Sequence, residues 1–509
     1  MSNVEDLERF QPLLRQGSSG GAEASREEWI DPVEDGARSA AVSWISMTEA
    51  VDEVISLIKV WCPILFTSLF LFSKSLISTH YLGVKVIGED GLAGGSLAIG
   101  IANITGYSLL KGLSMGMEPI CGQAYGASKR GILCLTFQRA FLLLLITTIP
   151  MSILWFNVDT ILLWLGQDVE IAYTARLYIL YSLPDLLAQA CLHPLRIFLR
   201  TQNITRPVTY SATIALLFHI PINHVLVSRF QMGVKGVALA CGINTIIINL
   251  GVLVYLLFSP STVIKPWSNI TVDCLQGWNT LIKLAIPSAV SVCLEWWWYE
   301  FMTIFCGWLE NPKANIASMG ILIQMTGLIY AFPFSLASAV SAKVGQHLGG
   351  DNPHKARQAS IIGLAISAVC GVLAMVFIFL IKDLWGSFFS KDTDIIRLTA
   401  MALPIIGLCE LGNNPQTVAC GVLRGCARPN LGANINFASF YLVGLPVAVV
   451  AAFWYDDGIV GLFLGLAAAQ LSCAFMMLFV IIKTDWNLQA VRAKELLLAS
   501  SRNNNLQPN

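Results

Sequence analysis

An all-α membrane protein, with twelve transmembrane helices in two pseudo-symmetric six-helix lobes, is the fold class that three features of this chain predict. The composition is apolar: of 509 residues 55% are hydrophobic and 13% charged, with a mean hydropathy of +0.65. A soluble protein carries roughly 25% charged residues. The apolar residues gather into stretches of roughly 20, the length that crosses about 30 Å of hydrocarbon. Finally, a set of proline and glycine motifs recurs at a nearly constant offset, which marks an internal duplication.

Taken in order, residues 1–54 are rich in Ser, Gly, Glu and Arg without periodicity and read as a disordered cytoplasmic tail. An N-lobe follows over 55–258, with spans at 55–78, 91–113, 132–155, 171–191, 207–228 and 234–258. Residues 259–279, with Pro260 and Pro266, form a cytoplasmic linker. A C-lobe over 280–482 has spans at 280–306, 315–338, 358–381, 396–417, 432–454 and 458–482, and 483–509 are a polar cytoplasmic tail.

Lys and Arg set the orientation. The second, fourth, eighth and tenth connections carry Lys129 and Arg130; Arg196, Arg200 and Arg206; Lys343, Lys355 and Arg357; and Arg424 and Arg428. The third and eleventh are acidic, with Asp159, Asp168 and Glu170, and with Asp456 and Asp457. Even connections and both termini are therefore expected in the cytosol.

The duplication has six matches in order. Gly122-Gln123 pairs with Gly345-Gln346, and Pro63, Pro184, Pro207, Pro221 and Gly236 pair with Pro287, Pro404, Pro429, Pro446 and Gly461. Six spans return the chain to its starting side, so the halves share one orientation. Transporters built this way bind substrate near the midplane between halves and rock one half against the other.

Net charge is zero, which gives no reason to expect nucleic acid as a partner. The thirteen cysteines include no CxxC pair, the six histidines show no metal-ligand spacing, and no Walker-type phosphate loop is present. An enzyme, a bound cofactor and ATP as energy source are not expected.

The segment Cys293-Leu-Glu-Trp-Trp-Trp-Tyr-Glu300 places two carboxylates inside span seven. A charge at the centre of a membrane helix costs about 2.5–3.5 kcal/mol on insertion scales, so it marks an ion or proton path. A carboxyl in a low-dielectric cleft can take a proton from one side and release it to the other. Glu295 and Glu300 are five positions apart and point about 140° from each other, whereas Glu295 and Tyr299 share a face. Glu410 in span ten, with Asn413 and Asn414, is a further proton site. Trp296, Tyr299, Gln324, Tyr330, Asn413 and Asn414 are candidate substrate contacts; Pro63 and Pro287 are candidate points of helix bending. Asp185 reads as structural. Lys111 and Glu118, at the end of span two, read as a snorkelling lysine and a locally paired glutamate.

Four motifs carry a resemblance: Cys293–Glu300; Met117-Glu-Pro-Ile-Cys-Gly-Gln123; Gly345-Gln346; and Pro404 through Glu410 to Asn414. Over residues 55–485 the chain resembles the multidrug and toxic compound extrusion (MATE) transporters. Ala102-Asn-Ile-Thr-Gly-Tyr107, Leu192-His-Pro-Leu-Arg196 and Ala433-Asn-Ile-Asn436 are similar to the plant DETOXIFICATION branch, in particular its abscisic-acid-exporter-like subgroup. The resemblance implies a V-shaped pair of lobes and cation-coupled antiport, with protons in plants and coupling through Glu295, Glu300 and Glu410. Many bacterial members use an aspartate in the first span, which this chain lacks.

The expected function is proton-coupled antiport by alternating access. It would export small organic molecules such as abscisic acid, xenobiotics or plant metabolites. A monomer in the lipid bilayer is expected, at the plasma membrane, with the late endosome, Golgi or vacuolar membrane as alternatives. Two rival readings are an anion channel and a lipid flippase. A flippase would need a cationic cavity, and the scarcity of Lys and Arg within the expected spans argues against it.

Overall fold

The computed structural model describes residues 47–82, 89–164, 166–268 and 272–502. Residues 1–46, which hold most of the expected N-terminal tail, and 269–271 of the linker lie outside the described residues.

The regular structure of the described residues is helical, and the longest connection is the linker between Phe258 and Asn279, which holds one 3-10 turn at Val272–Leu275. In chain order the elements are α1 (Met47–Leu82), α2 (Glu89–Ala102), α3 (Ser108–Met115), α4 (Met117–Gly126), α5 (Arg130–Phe156), α6 (Val158–Trp164), α7 (Val169–Tyr181) and α8 (Leu183–Arg200). Then come α9 (Arg206–Asn223), α10 (Val234–Phe258), α11 (Asn279–Cys306), α12 (Pro312–Gly349), α13 (Pro353–Trp385) and α14 (Thr393–Gly425). The last are α15 (Pro429–Phe437), α16 (Leu445–Val449), α17 (Gly458–Ile482) and α18 (Trp486–Arg502).

Among the described residues, ten helical segments are long and apolar enough to cross a membrane. The expected second and fourth spans are not among that ten, and both are composite rods. The second runs from α2 through a π-helical turn at Asn103–Tyr107 into α3 and then α4, with a break at Gly116. The fourth breaks at Ser182 between α7 and α8. Pro184 explains that break: it has no N–H to continue the helix. With these two rods, the twelve-span fold class holds. Outward faces carry large apolar side chains such as Ile149, Leu373 and Phe475, as lipid contact requires.

Both ends differ from expectation. Helix α1 begins at Met47, so 47–54 are helix and not tail. Glu49, Asp52 and Glu53 place negative charge at the positive end of its dipole, Glu53 lies 3.5 Å from His347, and Val54 packs on the C-lobe core. The C-terminal segment forms α18. Trp486, Ala490 and Ala493 join the C-lobe core, while Leu496 and Leu497 join a cluster with Met117, Ile120 and Leu133 of the N-lobe.

The duplication is written into the backbone. Non-glycine residues with positive φ pair up at the repeat offset: Ser128 with Asp351, Asn203 with Ala427, Gln231 with Asp456. Gly233 and Gly458 do the same. The π-helical segments His224–Arg229 and Val450–Trp454 follow Pro221 and Pro446. The two halves therefore leave and re-enter their helices in the same way.

Candidate functional site

A cavity of about 430 Å³ lies between the lobes. The N-lobe supplies most of its wall, from α1, α2–α4, α7–α8 and Cys241 of α10; the C-lobe supplies Trp296 of α11 and Gly327, Tyr330, Ala331 and Phe334 of α12. Its volume falls in the range of small-molecule pockets. A larger crevice, of about 920 Å³, is bounded by α1, α9 and α10 near Lys59 and Arg206. It contains none of the intramembrane carboxylates.

Lys111 is central to the cavity. Its ammonium sits 4.6 Å from the ring centre of Trp296, 3.9 Å from that of Phe334 and 5.8 Å from that of Tyr330. The expectation that it snorkels is thus corrected: three aromatic faces hold the charge in the interior. Glu295 faces Lys111 and Arg424 and hydrogen-bonds Tyr330. Tyr299 feels both Glu295 and Glu410. The three consecutive tryptophans separate: Trp296 lines the cavity, and Trp298 is fully buried against Phe440 and Tyr441.

Glu410 is buried within the C-lobe. Asn413, one turn on, donates its Nδ2 to both carboxyl oxygens at 3.2 and 3.0 Å, and Asn414 Nδ2 donates to Oε2 at 2.8 Å. These three residues stand at i, i+3 and i+4 on one helix face. Asn414 Oδ1 is buried without a hydrogen-bond partner.

Not every expected site residue joins this cluster. Glu300 points to the N-lobe, where its Oε2 lies 3.4 Å from the place a Cβ on Gly100 would occupy. Gln324 is half-buried one turn from Gly327 but does not line the cavity. Pro63 and Pro287 both lie inside continuous helices. The Pro63 carbonyl accepts from Thr67 and Thr209 at 2.9 and 2.7 Å, a clasp between α1 and α9.

Asp185, read from the sequence as structural, and several cations complete the lining. Asp185 accepts from Tyr107 at 2.8 Å and from Thr245, and lies 3.9 Å from Lys74. With Arg196 and Arg200, Lys74 and Lys111 make the lining cationic. Scarce Lys and Arg within the expected spans thus did not mean an uncharged cavity: its lining is cationic. Lys74 and Asp185 were legible as a pair, since opposite charges at membrane depth neutralise each other. Arg196 was hidden because the fourth helical rod runs to Arg200, beyond the expected end at 191.

At one end the lobes meet. Glu118 pairs with Arg200 of its own lobe, with Arg424 of the other at 3.4 Å, and accepts from Ser341 at 2.9 Å. Gly122 and Gly345 touch through their backbones. Glu118 is thus an inter-lobe residue and not a locally paired one.

The MatE family model matches residues 63–225 and again 287–450, once in each half. The chain belongs to the MatE family. It is similar to Protein DETOXIFICATION 48 of Arabidopsis thaliana (53% identity, covering 89% of this chain and 85% of that protein). A similar likeness holds for Protein DETOXIFICATION 49 of the same plant (54%, covering 89% and 90%). Among solved structures, that of the eukaryotic MATE transporter AtDTX14 superposes with a TM-score of 0.84 at 29% identity, over 88% of this chain and 99% of that one. The Vibrio cholerae MATE transporter VcmN, as its D35N mutant, shares the fold at 16% identity, with a TM-score of 0.75 over 89% and 100%. The MatE protein described here is a multi-pass integral membrane transporter, with the two-lobed, V-shaped architecture of secondary active efflux proteins.

Proposed function

We propose that this MATE transporter is a proton-coupled antiporter that exports small organic molecules by alternating access, with Glu410 as the principal proton carrier. One observation carries the assignment: the buried Glu410 carboxyl with Asn413 and Asn414 around it. As placed, Asn414 donates N–H to a carboxylate and leaves its Oδ1 unused. Turning the amide over would offer that oxygen to the O–H of a protonated carboxyl. One side chain thus serves both protonation states. Glu295, reaching Glu410 through Tyr299, links the proton to the cavity wall; Glu300 is a peripheral carboxylate on the outer part of α11.

In the cycle, a proton taken up by Glu410 changes the local hydrogen bonds. Helix α11 then bends near Pro287, with Pro63 as its counterpart in α1. The lobes rock, and substrate leaves on one side before the proton leaves on the other. Trp296 and Tyr330 contact substrate directly, while Tyr299, Gln324, Asn413 and Asn414 support that wall. The protein works as a monomer in the plasma membrane with both termini in the cytosol; abscisic acid is the first substrate to test. The cationic lining also favours a second reading, an anion channel, but the Gly122–Gly345 contact would have to open for a continuous pore.

The test is efflux of labelled abscisic acid and of a cationic dye from proteoliposomes, with and without a pH gradient. Wild type, Glu410→Gln, Glu295→Gln and Glu300→Gln are compared. Glu410→Gln should lose gradient-driven transport and keep substrate exchange. Full gradient-driven export by Glu410→Gln would disprove the assignment, and currents independent of the gradient would identify a channel.

A further inference from the structure

The charge balance of the inter-lobe cavity selects a class of ligand. Lys74, Lys111, Arg196 and Arg200 line it, against the carboxylates Asp185 and Glu118. Adding the neighbours just behind the wall, Arg424 and Glu295, gives five cations to three carboxylates. The carboxylates are unequally shared. Asp185 is committed to Lys74, Tyr107 and Thr245, and Glu118 to Arg200, Arg424 and Ser341. That leaves Lys111 and Arg196. Among the described residues, no carboxylate oxygen comes within 4.0 Å of either. The two act on each other electrostatically, and His193 lies within reach of both. Glu295 faces Lys111 at longer range.

Surplus cations at membrane depth are costly and are kept where they meet a substrate or an ion. Beside these two, Trp296, Tyr330 and Phe334 present ring faces to the same space. A few polar groups that fix orientation next to an apolar wall are the ordinary makeup of a small-molecule site.

We propose that this cavity binds organic carboxylates, with Lys111 and Arg196 taking the carboxylate and the Trp296, Tyr330 and Phe334 faces taking the ring or apolar body. Arg196 offers its planar fork to both carboxylate oxygens. Lys111 exchanges its distant counter-charge, Glu295, for the ligand. The proposal rests on the reading of this cavity as the substrate site, but not on proton coupling. It also has a sign that a cation site would reverse: removing the Glu295 charge should strengthen binding, because Glu295 competes with the ligand for Lys111.

The experiment is equilibrium binding to the purified full-length protein in detergent at fixed pH, read by tryptophan fluorescence and checked by calorimetry. Three probes of nearly equal size are compared: 1-naphthoate, neutral 1-naphthamide and cationic 1-naphthylmethylammonium. The carboxylate is expected to bind at least about tenfold tighter than the amide, the value of about 1.4 kcal/mol, and the ammonium weakest. Lys111→Met and Arg196→Met should each erase the preference for carboxylate over amide, and Glu295→Gln should enlarge it. Equal binding of all three probes, or tightest binding of the ammonium, would overturn the proposal. The wild-type series alone decides this, even if a variant misfolds. No pH gradient is present, so failure here is separable from failure of the antiport reading, which is tested in proteoliposomes.

Discussion

Gln123 and Gln346, at equivalent positions of the two repeats, exchange hydrogen bonds between the lobes. Gln123 Nε2 donates to the Gly425 carbonyl at 3.1 Å, and Gln346 Nε2 donates to the Thr201 carbonyl at 2.8 Å. The acceptors are themselves repeat-equivalent, each one residue past an arginine of the Glu118 network, Arg200 or Arg424. The duplication thus builds a two-fold latch at the end where the lobes meet. Replacing Gln123 by alanine removes one bond, and replacing Gln346 removes the bond to Thr201 together with longer ones to Asn203 at 3.3 and 3.4 Å. Each bond of about 1 kcal/mol net is roughly fivefold in the balance between closed and separated lobes. Pulsed dipolar spectroscopy between labels at positions 129 and 352, on a cysteine-depleted background, should show a larger long-distance population in each variant and more in the double. An unchanged distance distribution would remove the latch from the mechanism.

The same end places a stricter demand on two glycines. A Cβ on Gly126 would fall 2.0 Å from the Gln346 carbonyl oxygen, and one on Gly349 would fall 2.0 Å from that of Gln123. Both obstacles are backbone, so neither can rotate away. Gly126→Ala and Gly349→Ala should each disfavour the closed end by about 1–3 kcal/mol, roughly 5- to 150-fold in the equilibrium between states. Substrate exchange and gradient-driven transport should fall together, with expression and melting temperature little changed. Normal transport by either variant would mean that the lobes have slack that the structure does not show.

Asn414 separates a proton-handling role from a structural one. Asn414→Leu keeps the Glu410 carboxyl but removes the group that can change from donor to acceptor. The expected outcome is slow or absent gradient-driven transport with substrate exchange retained, as for Glu410→Gln. Asn414→Gln, which preserves the amide, should recover part of the activity. Full gradient-driven transport by Asn414→Leu would leave Glu410 without the partner on which its assignment rests.

Much of this was legible because the repeat punctuates the chain with residues of restricted geometry. Pro63 and Pro287, Gly122 and Gly345, and Pro221 and Pro446 align the halves without any structure. Intramembrane carboxylates stand out singly, as Glu295 and Glu410 did. Cations were harder to read. Lys111 and Arg196 lie where a hydropathy window ends, and an end-of-span cation is ordinarily interfacial. Only the fold shows that the rods carrying them run on past the cavity, to Gly126 and Arg200. Glu118 posed the same difficulty: its partner Arg424 is 306 residues away, across the lobe interface.

Two roles for Asp185 predict opposite results. It is buried, accepts from Tyr107 and Thr245, and lies 3.9 Å from Lys74. The Lys74 ammonium stands against this N-lobe carboxylate, which is the arrangement expected of a fixed counter-charge, whereas a coupling site would exchange a proton there. Asp185→Asn leaves Lys74 without its partner, a loss of about 3–5 kcal/mol for a buried pair broken on one side. The melting temperature should fall clearly, and the double variant Asp185→Asn with Lys74→Met should restore part of it. The ratio of gradient-driven transport to substrate exchange should stay at the wild-type value in the folded fraction. A melting temperature equal to wild type together with a lost ratio would instead make Asp185 a second proton site, and the N-lobe would then share the coupling now assigned to Glu410.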